Sequence, residues 1–160
     1  MDLSEILSIT GKPGLYKMIA KSKNGLIVES LIDGKRISAF SHEKISSLEE
    51  ISIFTETEDI PIKDVLKKIF EKTEGKETID SKSLNSKLKD FFEDIVPDYD
   101  KDRVYVSDIK KVLKWYNLLL QKELLDFTEV DKKADVKDDV TKDVQEKEKE
   151  VDKEKDEESK

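Results

Sequence analysis

The stretch whose reading decides the fold is Gly14 to Phe40, GLYKMIAKSKNGLIVESLIDGKRISAF, in which three strand-like runs are punctuated by Asn24-Gly25 and Asp33-Gly34. Tight hairpin loops that suit the twist of paired strands need positive φ, which Asn, Asp and Gly tolerate best. The reading is an antiparallel β-meander. With a loop at Asn24-Gly25, Ala20 faces Glu29 and Met18 faces Leu31. A loop at Asp33-Gly34 sets Leu31 against Arg36 and Val28 against Ala39. One face then collects Ile19, Val28, Ile32, Ile37 and Ala39, and the other Tyr16, Met18, Ile27, Leu31 and Phe40, with Glu29 and Arg36 placed diagonally. Apolar residues on both faces require a sheet that curls on itself or is covered.

Outward from the meander, residues 3 to 10 are ambiguous, and Gly11-Lys12-Pro13-Gly14 breaks any helix there. Ser41 to Glu50 reads as a loop with one helical turn. Ile51 to Thr55 reads as a fourth strand, and three strands, a turn and a returning strand are the plan of a small SH3-like barrel. A twisted sheet packed on helices is the other reading.

Helical spacing takes over after Asp59-Ile60-Pro61. Ile62, Val65, Leu66, Ile69 and Phe70 follow an i, i+3, i+4, i+7, i+8 pattern that stops at Gly75. A second helix carries the stripe Leu84, Leu88, Phe91, Phe92 and Ile95 and ends before Pro97. A third, capped by Ser107, runs through Ile109, Val112, Leu113, Tyr116, Leu119 and Leu120 to about Phe127. Residues 129 to 160 hold 14 acidic and 9 basic residues and no Leu, Ile or aromatic residue. That composition reads as a disordered charged tail, with no means of burying a core. The expected organisation is α+β: a small SH3-like barrel or twisted antiparallel β-meander in residues 1–58, a three-helix module in 59–128, and the tail in 129–160.

The tail carries −5 of the chain's net −8, so the folded part is only mildly acidic. Cysteine is absent, which removes disulfides, thiolate nucleophiles and thiolate metal sites. The opening MDLSEILSIT is acidic where a secretory signal is basic, and no apolar run approaches a membrane span. A cytoplasmic protein with no membrane contact is expected.

Few motifs carry chemistry. Asp98-Tyr99-Asp100-Lys101-Asp102 alternates carboxylates as a calcium loop does, but Arg103 stands where that loop needs Gly and Ile109 where it needs Glu. A polar interhelical loop is the plainer account. His42 is the only histidine, which excludes any two-histidine site. The glycines form no phosphate-binding fingerprint. Catalytic residues, metal ligands and cofactors are therefore expected to be none.

Two surfaces suggest binding. The first is the meander face with Tyr16, Met18, Leu31, Arg36 and Phe40, suited to a protein partner. The second is the third helix, where Lys110, Lys111 and Lys114 flank Trp115 as in nucleic-acid binders.

The segments ILSITGKPGLY (Ile6 to Tyr16), VESLIDGKR (Val28 to Arg36), SLEEISIFT (Ser47 to Thr55) and VPDYDKDRVYVSDIKKVLKWYNLLL (Val96 to Leu120) resemble a family of short bacterial proteins known mainly from the Bacteroidota and described as a domain of unknown function. The resemblance spans nearly all of residues 2–127. It implies a cytoplasmic bacterial protein with a β-then-α body and a variable charged tail, and it transfers no catalytic residue. The expectation is a non-enzymatic binding or adaptor protein acting through the small β-domain, of undetermined oligomeric state. An RNA- or DNA-binding regulator is the alternative, and a metal-dependent enzyme using Asp98, Asp100 and Asp102 a third.

Overall fold

The structure is a computed structural model that describes residues 2–127; the expected tail lies outside them. Asp2–Leu125 forms one compact unit.

Five strands make an antiparallel sheet: β1 (Ile6–Ile9), β2 (Tyr16–Ser22), β3 (Gly25–Ser30), β4 (Arg36–Phe40) and β5 (Ile45–Ser47), in spatial order β4-β3-β2-β1-β5. The meander is present as β2-β3-β4. Its register differs from the expected one. The first loop is Lys23-Asn24, closed by the pair Ser22 and Gly25, and neither loop residue takes positive φ. Gly25 is needed inside the strand instead. Opposite Phe40, at φ 156°, its missing Cβ would collide with the Ala39 carbonyl. A bulge at Ile19 between Met18 and Ala20 then shifts the pairing again, so that Met18 faces Val28 and Tyr16 faces Ser30. The second loop is wider than a two-residue turn, with Ser30 N–H donating to the Lys35 carbonyl at 2.9 Å.

An odd register shift turns a strand's side chains over. Tyr16 and Met18 therefore share the face of Val28, Ile37 and Ala39 and not that of Phe40. Leu7, Ile9, Tyr16, Val28 and Ala39 form the sheet's buried cluster, and Met18, Leu26, Ile37 and Ile45 pack around it. All five strands contribute.

β1, ambiguous in sequence, is an interior strand paired with both β2 and β5. β5 lies where a loop was expected, and a single 3-10 turn, Leu48–Glu50, follows it with Ser47 accepting from Glu49 N–H. The expected fourth strand does not return to the meander. Only Ser52–Ile53 (β6) is strand, paired with Ile60–Pro61 (β7) in a separate two-stranded sheet. Beyond it, Asp100 N–H donates to the Phe54 carbonyl and Glu56 N–H to that of Asp98, both at 2.9 Å. The chain that would have closed a barrel is thus held by β7 and the interhelical loop. The sheet stays open, and the SH3-like barrel is not formed.

Three helices complete the α+β body: α1 (Ile62–Thr73), α2 (Asn85–Ile95) and α3 (Val106–Gln121). The periodic residues of α1 point inward as read, with Ile62, Val65, Leu66 and Ile69 fully buried. Each contributes about 1.5–3 kcal/mol of apolar burial. In α2, Leu88 and Phe92 are fully buried, but Leu84 precedes the helix and is 70% exposed. α3 begins one residue before Ser107, with the Asp108 carboxylate accepting Tyr105 N–H at 3.0 Å, and stops at Gln121, short of Phe127. α1 packs on the 3-10 turn, β6, β7 and the other two helices.

Candidate functional site

One flank of α3 carries Lys111, Lys114, Trp115, Leu118 and Gln121 at helical spacing, beside its buried stripe of Ile109, Val112, Leu113, Tyr116 and Leu119. That flank faces the β1–β2 loop, Thr10 to Gly14, across a cleft of about 610 Å³. The loop closes through Lys12 N–H to the Ile9 carbonyl at 3.1 Å, and Thr10 N–H reaches the Lys44 carbonyl at 3.0 Å. Gly14, at φ 75°, lies against Ile32 and Leu118, where a side chain would collide with Ile32. The glycine thus lets the loop approach Ile32 in the β3–β4 loop, with Leu118 of α3 at ordinary contact distance.

The walls combine Ile9, Pro13, Ile32 and Leu118 with Lys12, Lys111 and Lys114, and contain no Asp, Glu or His. Lys12 is paired with Glu43 at 2.8 Å, whereas Lys111 and Lys114 have no ion pair among the described residues. The Glu43 carboxyl is held below its ordinary pKa, first by Lys12 and then by Phe40 N–H. Asn117 Oδ1 accepts from Thr78 N–H at 2.9 Å and from the Thr78 hydroxyl at 3.2 Å, leaving the Asn117 amide NH₂ as its donor. Trp115 is half-buried, and its indole N–H has no acceptor among the described residues. The polar character of this cleft is therefore mostly that of donors and positive charge.

A second cleft of about 220 Å³ adjoins it, and Lys111 and Trp115 line both. Its other walls include Ile51, Ile53, Phe54, Val104 and Val112. Arg103 lies over the Phe54 ring at 4.5 Å while donating from Nε to Asp100 at 2.8 Å.

The two surfaces read from sequence fare differently. Lys111, Lys114 and Trp115 meet in the larger cleft, and Lys110 lines neither. The meander residues do not share a face. Tyr16 is buried and Met18 packs on the sheet's buried cluster. Leu31 is half-buried in the β3–β4 loop. On the opposite face, Arg36 is exposed and paired with its direct cross-strand neighbour Glu29 at 3.0 Å. Phe40 is exposed and stacks on His42 at 5.7 Å.

In the Asp-rich loop, Asp98 accepts from the Thr57 hydroxyl at 3.0 Å, and Asp100 binds the Asp102 N–H and Arg103. Arg103 is the first cause of Asp100's lowered pKa. Tyr99 between them is buried beside Phe92. No group of three potential ligands is placed to hold a metal ion among the described residues. Sequence reading missed the Thr10–Gly14 loop as a cleft wall; its glycine pair was the available signal.

This architecture is that of an α+β protein in which an open antiparallel sheet precedes three helices, with no helix among the described residues long and apolar enough to cross a membrane. Residues 3–48 match the family model described as Domain of unknown function (DUF5606), and residues 51–119 match Domain of unknown function (DUF6852). A solution NMR structure from Bacteroides vulgatus, a Northeast Structural Genomics Consortium target, is 40% identical with a TM-score of 0.66, over 80% of this chain and 92% of that one. The chain belongs to the family of that Bacteroides protein. Comparison with curated proteins gave no significant match.

Proposed function

We propose that this is a cytoplasmic, non-enzymatic binding or adaptor protein that takes an anionic partner at the cleft between the β1–β2 loop and α3. The observation that carries the reading is the cleft's charge: of its three lysines Lys12 is paired with Glu43, while Lys111 and Lys114 have no ion pair among the described residues, in a chain of net charge −8. Opposite charge in a concave, partly apolar site supports recognition and faster encounter. Trp115 at its wall is the residue type that most often anchors interfaces. The same walls hold no carboxylate or imidazole to move a proton near neutral pH, which supports binding over catalysis. The meander face carries no part of this reading, because Tyr16 and Met18 lie on the buried side.

A nucleic-acid partner is a second reading, favoured by Trp115 standing beside Lys111 and Lys114 in the same cleft. The test is affinity capture from a lysate of the source cells with the native chain and a K111E/K114E variant, each with and without nuclease. Protein partners that survive nuclease and are lost by the variant support the adaptor. Partners lost on nuclease treatment favour nucleic acid. Partners recovered equally by the variant overturn the cleft as the site.

A further inference from the structure

We propose that the two clefts form one bipartite groove for a linear acidic peptide, seating carboxylates against Lys111 and Lys114 and one aliphatic or aromatic side chain in the smaller cleft. This rests on the preceding reading and specifies its ligand. The two clefts are adjacent, because Lys111 and Trp115 line both. The groove's two ends offer different chemistry. In the larger cleft the ammonium groups of Lys111 and Lys114 and the Asn117 NH₂ call for acceptors.

In the smaller cleft, apart from Ser52 and the shared Lys111, the polar side chains are already engaged. Asp108 accepts Tyr105 N–H at 3.0 Å. Arg103 donates to Asp100 and, at 3.4 Å, to the Thr55 carbonyl. What remains open there is the apolar surface of Ile51, Ile53, Phe54 and Val112. A segment with carboxylates and an apolar anchor satisfies both ends.

Charge and wall chemistry favour a peptide over single-stranded nucleic acid. A polyanion continues beyond the cleft over a folded part that is itself mildly acidic, whereas a short peptide meets the lysines alone. Base recognition also relies on aromatic platforms. Here the smaller cleft has Ile51, Ile53, Val104 and Val112 among its walls, and of its two aromatic rings, Phe54 and Trp115, Phe54 is already covered by Arg103.

The test is selection of a random displayed library of short peptides on the full chain, alongside a binding titration with oligothymidylate, both followed by Trp115 fluorescence. The expected peptides combine Asp or Glu with a nearby Leu, Ile or Phe. K111E/K114E weakens them by about tenfold, the scale of two exposed ion pairs. Phe54→Ser weakens them severalfold while circular dichroism stays native. Acidic peptides with no apolar preference, or indifference to Phe54→Ser, overturn the bipartite groove and leave the charged cleft standing. Binding of oligothymidylate without any selected peptide overturns the peptide in favour of nucleic acid. Failure of both probes overturns the peptide groove, while the preceding reading is decided separately by whether K111E/K114E loses the captured partners.

Discussion

Lys12 Nζ lies 2.8 Å from Glu43 Oε1, and the other oxygen of that carboxylate accepts Phe40 N–H at 2.8 Å. One side chain thus ties the rim of the larger cleft to the end of β4. A carboxyl held below its ordinary pKa in the fold adds stability that is present above the unfolded value and is lost as pH falls through the folded one. Glu43→Gln should lower the melting temperature at pH 7. The difference between the two proteins should shrink as pH falls below the unfolded pKa and through the lower folded one, where the carboxyl becomes neutral. An unchanged difference across that acid range would contradict the role given to Glu43.

The hairpin register rests on Gly25. Gly25→Ala places a methyl group against the Ala39 carbonyl and should cost more than about 1 kcal/mol in denaturant unfolding. Gly34, at φ 70°, has open space around its Cβ position, so Gly34→Ala meets only backbone strain of about 1–2 kcal/mol. The clash at Gly25 predicts the larger loss of the two. Equal losses would mean that β3 and β4 can part without penalty.

These glycines show what was legible in the sequence and what was not. The helices were readable because a 3.6-residue period leaves one answer for α1, where Ile62, Val65, Leu66 and Ile69 are all buried. The strands were readable as strands, but their register was not, since both faces of the meander are apolar and the bulge at Ile19 leaves no local mark. β1 was hidden because four residues, Ile6-Leu7-Ser8-Ile9, cannot establish an alternation. Lys111, Lys114 and Trp115 were singled out from local composition. Their joining to the Thr10–Gly14 loop is a long-range contact that no sequence window contains.

Tyr116 is fully buried, with its hydroxyl 2.8 Å from the Thr73 hydroxyl and donating to the Lys76 carbonyl at 3.0 Å. It fixes the end of α1 and the following turn to α3. Tyr116→Phe should cost about 1–2 kcal/mol, because a polar group is left without its partner. Burial also raises the phenol's pKa above its ordinary value. The stability tied to the neutral hydroxyl is therefore present below the unfolded pKa and lost as pH rises through the folded one. Alkaline titration followed by tyrosinate absorbance, taken as the difference between the native chain and Tyr116→Phe, checks the direction: ionisation of that phenol at the ordinary pKa would contradict it.

Leu84 and Leu88 look alike in the sequence stripe and differ in the fold. Leu88→Ala should cost about 2–5 kcal/mol by opening a cavity among the helices. Leu84→Ala should stay within about 0.5 kcal/mol. Paired urea titrations decide between these values, and a large loss at Leu84 would contradict its exposed position.

Trp115 stands beside Lys111 and Lys114, neither of them ion-paired among the described residues, on a negatively charged protein. Trp115 is the chain's only tryptophan, so its fluorescence reports that one place. The most direct measurement is collisional quenching by iodide and by caesium, with acrylamide as the neutral reference. Iodide should quench more strongly than caesium, added salt should shrink the gap, and K111E/K114E should reverse the order. Stronger quenching by caesium in the native protein, as the overall charge of −8 alone would produce, would contradict this expectation.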